Sequence, residues 1–244
     1  MNFNEFYAYC EQIFEANSFL PKLDEYKAKK LYELTEYMLD VNQRMNLTAI
    51  KDEKSVVLKH YADSLAVCNH IEENANIIDV GCGAGFPTLP LAIFRPDITI
   101  LALDSTAKRI EYVRSAAKLL GLENVNAVSA RAEALANDKS YREAFDYATA
   151  RAVANLPILT ELCLPFVRVG GKFIAMKSQK TESEISDAAT AIKRCGGLLN
   201  EVNEFKLSDG IEITENRTLV LIDKNTQTPK EFPREYAKIK KKPL

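Results

Sequence analysis

The sequence predicts an α/β protein: a doubly wound, mostly parallel, seven-stranded sheet with an N-terminal helical extension. Three observations carry this. From Ile77 onward, short apolar runs alternate with stretches of helical periodicity, the order that yields parallel strands joined by crossover helices. The first run ends in Asp79-Val80-Gly81-Cys82-Gly83-Ala84-Gly85-Phe86-Pro87, which reads as strand, tight turn and helix start. Upstream of it, about seventy residues carry helical spacing with no strand between them.

Taken in order, Phe3, Phe6, Tyr7, Cys10, Ile13 and Phe14 recur at helical spacing, as do Leu31, Leu34, Tyr37, Met38 and Val41. Pro21 and Asp24 separate the two helices, and Asp24 is a fitting N-cap. A third helix is expected over about residues 53–71. Strands are expected near 76–80, 98–103, 125–129, 145–150, 171–177, 198–206 and 217–223, with helices near 87–94, 106–120, 155–168 and 181–195. Gly121, Gly170-Gly171 and Gly196-Gly197 follow three of those helices, where C-capping glycines belong. The last two strands lie too close for a crossover helix, so one of them should be antiparallel. This divides the chain into a helical extension (1–72), a sheet domain (73–224) and a basic tail (225–244).

Composition narrows the class. With 47% apolar and 27% charged residues, the 244-residue chain has the make-up of an ordinary globular protein. No apolar run approaches the roughly 20 residues of a membrane span, and the N-terminus has no secretory pattern. Five scattered cysteines without a C-x-x-C and only two histidines argue for free thiols in the cytoplasm, and against a disulfide framework or a metal centre. The net charge of −2 is uneven: residues 1–40 carry four basic and eight acidic groups, residues 224–244 seven basic and two acidic. The tail is either a frayed terminus or an electrostatic arm for a phosphate backbone.

The glycine turn holds the chemistry. Its glycines let a ligand lie against main-chain atoms, and the amides at the helix start favour a polar or anionic group. The third glycine comes one residue earlier than in the dinucleotide pattern G-x-G-x-x-G. With Asp79 two residues ahead, D-x-G-x-G-x-G looks like the first motif of S-adenosylmethionine-dependent methyltransferases, which makes the expected sheet a Rossmann-like methyltransferase sheet. Asp79, Gly81, Gly83 and Gly85 are therefore cofactor candidates. Asp104 ends the second strand 19 residues beyond Gly85, near the spacing of a ribose-binding acid, and also suits an N-cap of the next helix. Glu133, after the third strand, either meets the adenine amino group or starts a helix in solvent. Arg151 ends the fourth strand as a carboxylate clamp or an ion-pair partner, and Lys177 at the end of the fifth leaves the same choice.

Beyond the turn, the chain resembles one family nearly end to end: the bacterial small-subunit (16S) ribosomal RNA guanine-N7 methyltransferases, also called the glucose-inhibited division protein B family. The resemblance rests on Asn46-Leu47-Thr48-Ala49-Ile50, on His60 with Asp63-Ser64-Leu65, and on Gly81 to Pro90. It continues through Asp104-Ser105 with Lys108-Arg109, Arg131-Ala132-Glu133, Ala150 to Ala154, Gly170-Gly171 leading to Lys177, Phe232-Pro233-Arg234 and Lys242-Pro243-Leu244. Cys82, Thr88 and Ser178 depart from the small residues expected there, without removing a required group. The resemblance implies that S-adenosylmethionine contacts Gly81, Phe86, Asp104, Ser105, Thr106, Ala132, Glu133 and Arg151. It places Asn46, His60, Asp63 and Lys177 on the substrate side. Read as bare sequence, His60 and Asp63 could be a helix-surface pair and Asn46 a turn cap.

The implied reaction is methyl transfer to N7 of a guanine in small-subunit ribosomal RNA, free or in the small ribosomal subunit; nothing in the sequence demands a partner copy, so a monomer is expected. Guanine N7 carries a lone pair and no proton, so the transfer needs alignment and no general base. Lys59, Lys108, Arg109 and the basic tail are candidate phosphate contacts. A non-catalytic assembly factor on the same scaffold predicts degenerate cofactor residues, and an NAD-dependent oxidoreductase predicts G-x-G-x-x-G; neither pattern is present.

Overall fold

A computed structural model describes residues 1–178 and 181–244. All seven expected strands form: β1 (Asn76–Val80), β2 (Thr99–Asp104), β3 (Val125–Ser129), β4 (Phe145–Arg151), β5 (Val167–Ser178), β6 (Gly197–Ser208) and β7 (Ile213–Lys224). They make one sheet in the order β3-β2-β1-β4-β5-β7-β6. The first five are parallel, and β7 lies antiparallel between β5 and β6. Residues 209–212, between β6 and β7, are too few for a crossover, so the chain turns back as a hairpin.

Strand periodicity splits the core into two layers. Ile77, Ile100 and Ala102 face one layer, and Ile78, Val80 and Leu103 the other. The first layer is shared with α1 (Phe3–Ala16) and α2 (Glu25–Met45) through Phe6, Ile13, Leu31, Leu34 and Met38, all fully buried. Each such side chain stabilises the fold by about 1.5–3 kcal/mol. Asn2 and Glu5 cap α1 reciprocally, and Asp24 caps α2 by accepting from the Lys27 amide. On the same face lie α5 (Thr88–Phe94) and α6 (Ala107–Leu119), whereas α8 (Leu156–Cys163) and α9 (Thr181–Arg194) cover the other; α7 (Ala132–Leu135) is a short turn of helix after β3.

Three local expectations change. The single helix expected over 53–71 is broken: α3 (Glu53–Val56) widens into a π-helical stretch (Val57–Ala62), returns to α4 (Asp63–Leu65), and ends in a 3-10 turn at Cys68–His70. Such wide turns re-aim side chains, here those of His60 and Asp63. Second, β5 starts at Val167, so Gly170-Gly171 lies inside a strand and caps no helix. A Cβ on Gly171 would stand 2.3 Å from the Asp146 carbonyl oxygen, where the β4–β5 register shifts between Phe145 and Tyr147. Third, the C-terminal segment is docked on the core. Phe232 and Ile239 are buried, and Arg234 donates to both oxygens of the fully buried Glu161 at 2.8 and 2.6 Å. Lys224 is also internal, donating to the Leu164 carbonyl at 2.7 Å and pairing with Glu143 at 3.1 Å. Two of the basic groups counted in the tail are thus spent inside the protein.

All five cysteines are free and buried. Burial pushes their thiols up, to about 12 for Cys68 and Cys195. Among the described residues no helix is long and apolar enough to cross a membrane.

Candidate active site

The strand order reverses at β1, whose neighbours are β2 and β4. That is the point at which an open α/β sheet leaves a crevice beyond its carboxyl ends. A cavity of about 410 Å³ occupies it, within the size range of small-molecule sites. It collects Gly81, Gly83, Phe86, Asp104, Ser105, Ala132, Glu133 and Arg151 of the expected cofactor residues, together with His60.

The glycines divide the work. A Cβ on Gly85 would stand 2.5 Å from Leu89 Cδ1, so Gly85 serves helix packing and does not line the cavity. Gly83, at φ +56, would place a Cβ in open space, its nearest neighbour the Gly81 carbonyl oxygen at 3.9 Å. That space is where a ligand can lie on the backbone. The Gly83 amide donates to Asp104 Oδ2 at 3.1 Å and the Thr106 amide to Oδ1 at 2.8 Å. Asp104 is therefore aimed by two main-chain donors and keeps lone pairs for hydroxyl groups. Thr106 itself stays off the cavity wall.

Asp79 does not face the cavity. It is fully buried and accepts from the hydroxyls of Thr88 at 2.6 Å and Thr149 at 3.3 Å. Its carboxylate braces the first helical turn against β4, and Thr88 supplies the hydroxyl that satisfies it. Asn46, Asp63 and Lys177 also lie outside the lining. Asn46 ends α2 in the left-handed region (φ 49), its amide donating to the Asn42 carbonyl. Lys177 donates to Glu184 at 2.6 Å and to the Ala154 carbonyl at 3.1 Å, tying β5 to α9.

Asp63 is held between two guanidiniums: Arg151 Nη1 at 2.9 Å and Arg217 Nε at 3.1 Å. His60 and Asp63 are thus no surface pair; both are buried and both touch Arg151. Arg151 Nη2 lies 3.1 Å from His60 Nδ1, and Thr48 Oγ1 lies 3.0 Å from His60 Nε2. The His60 ring stacks on Phe86 with centroids 4.3 Å apart.

Burial, then the Arg151 charge, push His60 down to about 3, so its ring is neutral near neutral pH. The unfolded chain protonates this ring near pH 6.5, so stability is full above that pH and falls as pH drops toward 3. Asp79 acts in the opposite sense. Burial raises it to about 6, against about 3.9 unfolded, so the cost of its buried charge is relieved as pH falls through 6. The two slopes oppose each other between about pH 4 and 6. Asp79→Asn should leave the His60 slope alone, and denaturant unfolding from pH 7 to 4 should show a steeper acid loss than wild type; parallel curves would refute this.

Several lining residues fall outside the expected cofactor and substrate sets, Arg109 among them, which was expected only as a phosphate contact. Arg109 pairs with Asp104 at 3.5 Å. Arg131 lies over the Tyr236 ring at 4.5 Å, and both border the cavity. Thr48 and Arg131 fall within the quoted motifs; Tyr236, and Arg217 on Asp63 outside the lining, carried no signal, because their partners are distant in sequence.

The acid ending β2, the open backbone at Gly83 and the mixed-charge cavity fit S-adenosylmethionine. Comparison with known proteins agrees. Residues 27–213 match the family model GidB, rRNA small subunit methyltransferase G. Proteins named ribosomal RNA small subunit methyltransferase G include those of Acetivibrio thermocellus, 41% identical over 94% of this chain and 93% of that one, and Leuconostoc citreum, 40% identical over 91% and 93%. That of Lactobacillus delbrueckii subsp. bulgaricus is 39% identical over 97% and 98%. Two solved structures share the fold: M. jannaschii TYW2 in complex with AdoMet (TM-score 0.50, 18% identity, covering 63% of this chain and 70% of that one) and a SAM-dependent methyltransferase of Methanosarcina mazei (TM-score 0.51, 14% identity, 66% and 97%). Matched by that model over most of its length and by relatives about 40% identical end to end, the chain belongs to the GidB family, the rRNA small subunit methyltransferase G proteins.

Proposed function

We propose that this chain transfers the methyl group of S-adenosylmethionine to N7 of a guanine in small-subunit ribosomal RNA. The observation that carries the position on the base is the state of the groups around the cavity. His60 is neutral and both its ring nitrogens are engaged; Asp104 and Glu133 are each bonded to neighbours. In this reading the two wall carboxylates, Asp104 and Glu133, are taken by the adenosine, and the ring at the substrate end, His60, has no nitrogen left to act as a base. Methylation at N1 or N2 of guanine requires proton removal, and methylation at N7 does not.

In this reading Asp104 holds the ribose hydroxyls, Glu133 and the backbone at Ala132 face the adenine, and the glycine turn backs the amino-acid end. Bound there, S-adenosylmethionine supplies a methyl group already activated by its positively charged sulfur. The protein then has to align the base and exclude water. Positive charge grows on the purine during transfer. Arg151 stands near, but Asp63 meets its charge, so a cation in the wall costs less than it would unpaired. Phe86 and the neutral His60 offer ring faces in place of charge.

Labelled methyl transfer to undermethylated small subunits, followed by nucleoside analysis, tests the reading. The expected product is N7-methylguanine; N1- or N2-methylguanine, or label on protein alone, would overturn it.

The RNA contacts follow from charge. Arg109 and Arg131 flank the cavity, and α10 (Tyr236–Lys241) with Lys242 presents Lys238, Lys240, Lys241 and Lys242 to solvent beside Tyr236. Lys59 is already paired with Glu215 at 3.0 Å. Changing those four lysines to Gln should flatten the slope of log affinity against log salt by up to about 3, at roughly 0.7–0.9 per phosphate contact. An unchanged slope for RNA binding would remove α10 from the interface.

A further inference from the structure

We propose that Thr48 reads the acceptor base: its hydroxyl donates to O6 of the guanine, in a sense fixed by Arg151 acting through His60. This rests on the reading of the site as a guanine-N7 methyltransferase.

The direction of every hydrogen bond in the chain is forced. A guanidinium has donors and no acceptor, so at the 3.1 Å contact between Arg151 Nη2 and His60 Nδ1 the imidazole nitrogen accepts. The neutral ring then carries its proton on Nε2, which donates to Thr48 Oγ1 at 3.0 Å. The Ile50 amide donates to the same oxygen at 3.2 Å. Both lone pairs of the hydroxyl are occupied, and its own proton is the one valence left. Thr48 is half-buried and borders the cavity. At this point the wall offers a donor and no acceptor.

Topology places that donor at the substrate end. With the strand order β3-β2-β1-β4, the residue ending β2 (Asp104) and the one beyond β3 (Glu133) stand at the opposite end of the crevice from the residue ending β4 (Arg151). If adenosine takes the Asp104 end, the acceptor base meets Arg151, His60 and Thr48. Guanine carries O6 and N7 on one edge. A guanidinium fork would bond both and mask the nucleophile. A lone hydroxyl bonds O6 and leaves the N7 lone pair free. Adenine presents an amino donor where guanine has O6, and Thr48 has no lone pair to receive it. The Arg151–His60–Thr48 chain therefore accounts at once for a free N7 and for the choice of guanine over adenine.

The test is a double-mutant cycle between Thr48 and O6. Small subunits are reconstituted with RNA carrying either guanine or 2-aminopurine, which keeps N7 and lacks O6, at the mapped acceptor position. Single-turnover methyl transfer is measured for wild type, Thr48→Val and Thr48→Ser, with S-adenosylhomocysteine affinity measured alongside. Removing the hydroxyl or O6 alone should slow transfer roughly ten- to hundredfold, the effect of one lost hydrogen bond. Removing both should cost no more than removing one. Thr48→Ser should stay within a few-fold of wild type, and cofactor affinity should hold throughout. Losses that multiply, a Thr48→Val as fast as wild type, or one that loses cofactor affinity in step with rate would overturn the assignment. If Thr48→Val does not fold, wild type decides: equal rates on guanine and 2-aminopurine leave O6 without a partner. Failure of wild type to form N7-methylguanine would instead overturn the parent reading.

Discussion

Asp104→Ala is expected to weaken S-adenosylhomocysteine binding more than a hundredfold, a loss of about 3 kcal/mol measured by calorimetry. A charge-assisted hydrogen bond contributes about 1.5–3 kcal/mol, and in the proposed site this carboxylate makes one or two of them to the ribose. It also fixes the Gly83 and Thr106 amides, which shape the turn and the start of α6. The Ala variant loses the ligand contact and the turn's anchor together. Asp104→Asn keeps an acceptor of the same size without the charge, so it should fall between, at roughly tenfold. Full affinity in the Ala variant would remove Asp104 from the cofactor site. Equal losses in both variants would assign the effect to charge alone.

Asp63→Asn is expected to cost about 3–5 kcal/mol of stability, the usual penalty when one partner of a buried ion pair is removed. Asp63 is only 6% exposed and stands between Arg151 of β4 and Arg217 of β7. Those residues are 88 and 154 positions away in the chain, so one carboxylate ties the third helical run to the centre and the far side of the sheet. An amide satisfies part of the hydrogen bonding and none of the charge. Arg217 keeps Glu215 at 2.8 Å, whereas Asp63 is the carboxylate that meets Arg151, so adding Arg151→Met to Asp63→Asn should recover part of the loss by removing the cation left unpaired. Denaturant unfolding of wild type, each single variant and the double variant reads this directly. A single-variant loss below 1 kcal/mol, with no coupling, would show that the cluster is solvated in solution.

The sheet was legible because its signals are local. Strands such as Ile77–Val80 and Ile98–Leu103 announce themselves by apolar runs, and the turn after β1 by its glycines. The expected residues that line the cavity were legible for the same reason: Gly81, Gly83, Asp104, Glu133 and Arg151 stand at or just beyond the end of a strand, where topology delivers them to the crevice. What escaped depends on contacts between distant segments. The π-helical stretch at Val57–Ala62 has no composition signal, since helical propensity is the same for either winding. Asp63 looked like a partner of His60 at i+3 because the arginines that claim it come from β4 and β7. Asp79 belongs to the glycine motif in sequence, yet faces Thr88 and Thr149, because alternate strand residues point to opposite layers. The tail's lysines suggested a loose arm, and only the burial of Phe232, Ile239 and Lys224 reveals a docked segment.

The buried cysteines supply five native clocks. A thiol reacts only as thiolate and only when reagent reaches it, so each labelling rate measures how often its surroundings open. Cys10 reports on α1, Cys68 on the helical run before β1, Cys163 on α8, and Cys195 on the end of α9. Cys82, inside the glycine turn, reports on the cofactor cavity itself. A ligand that binds only the closed form must slow Cys82 in proportion to its occupancy, so alkylation followed by mass spectrometry would map, without any engineered probe, how far the stabilising influence of the cofactor spreads.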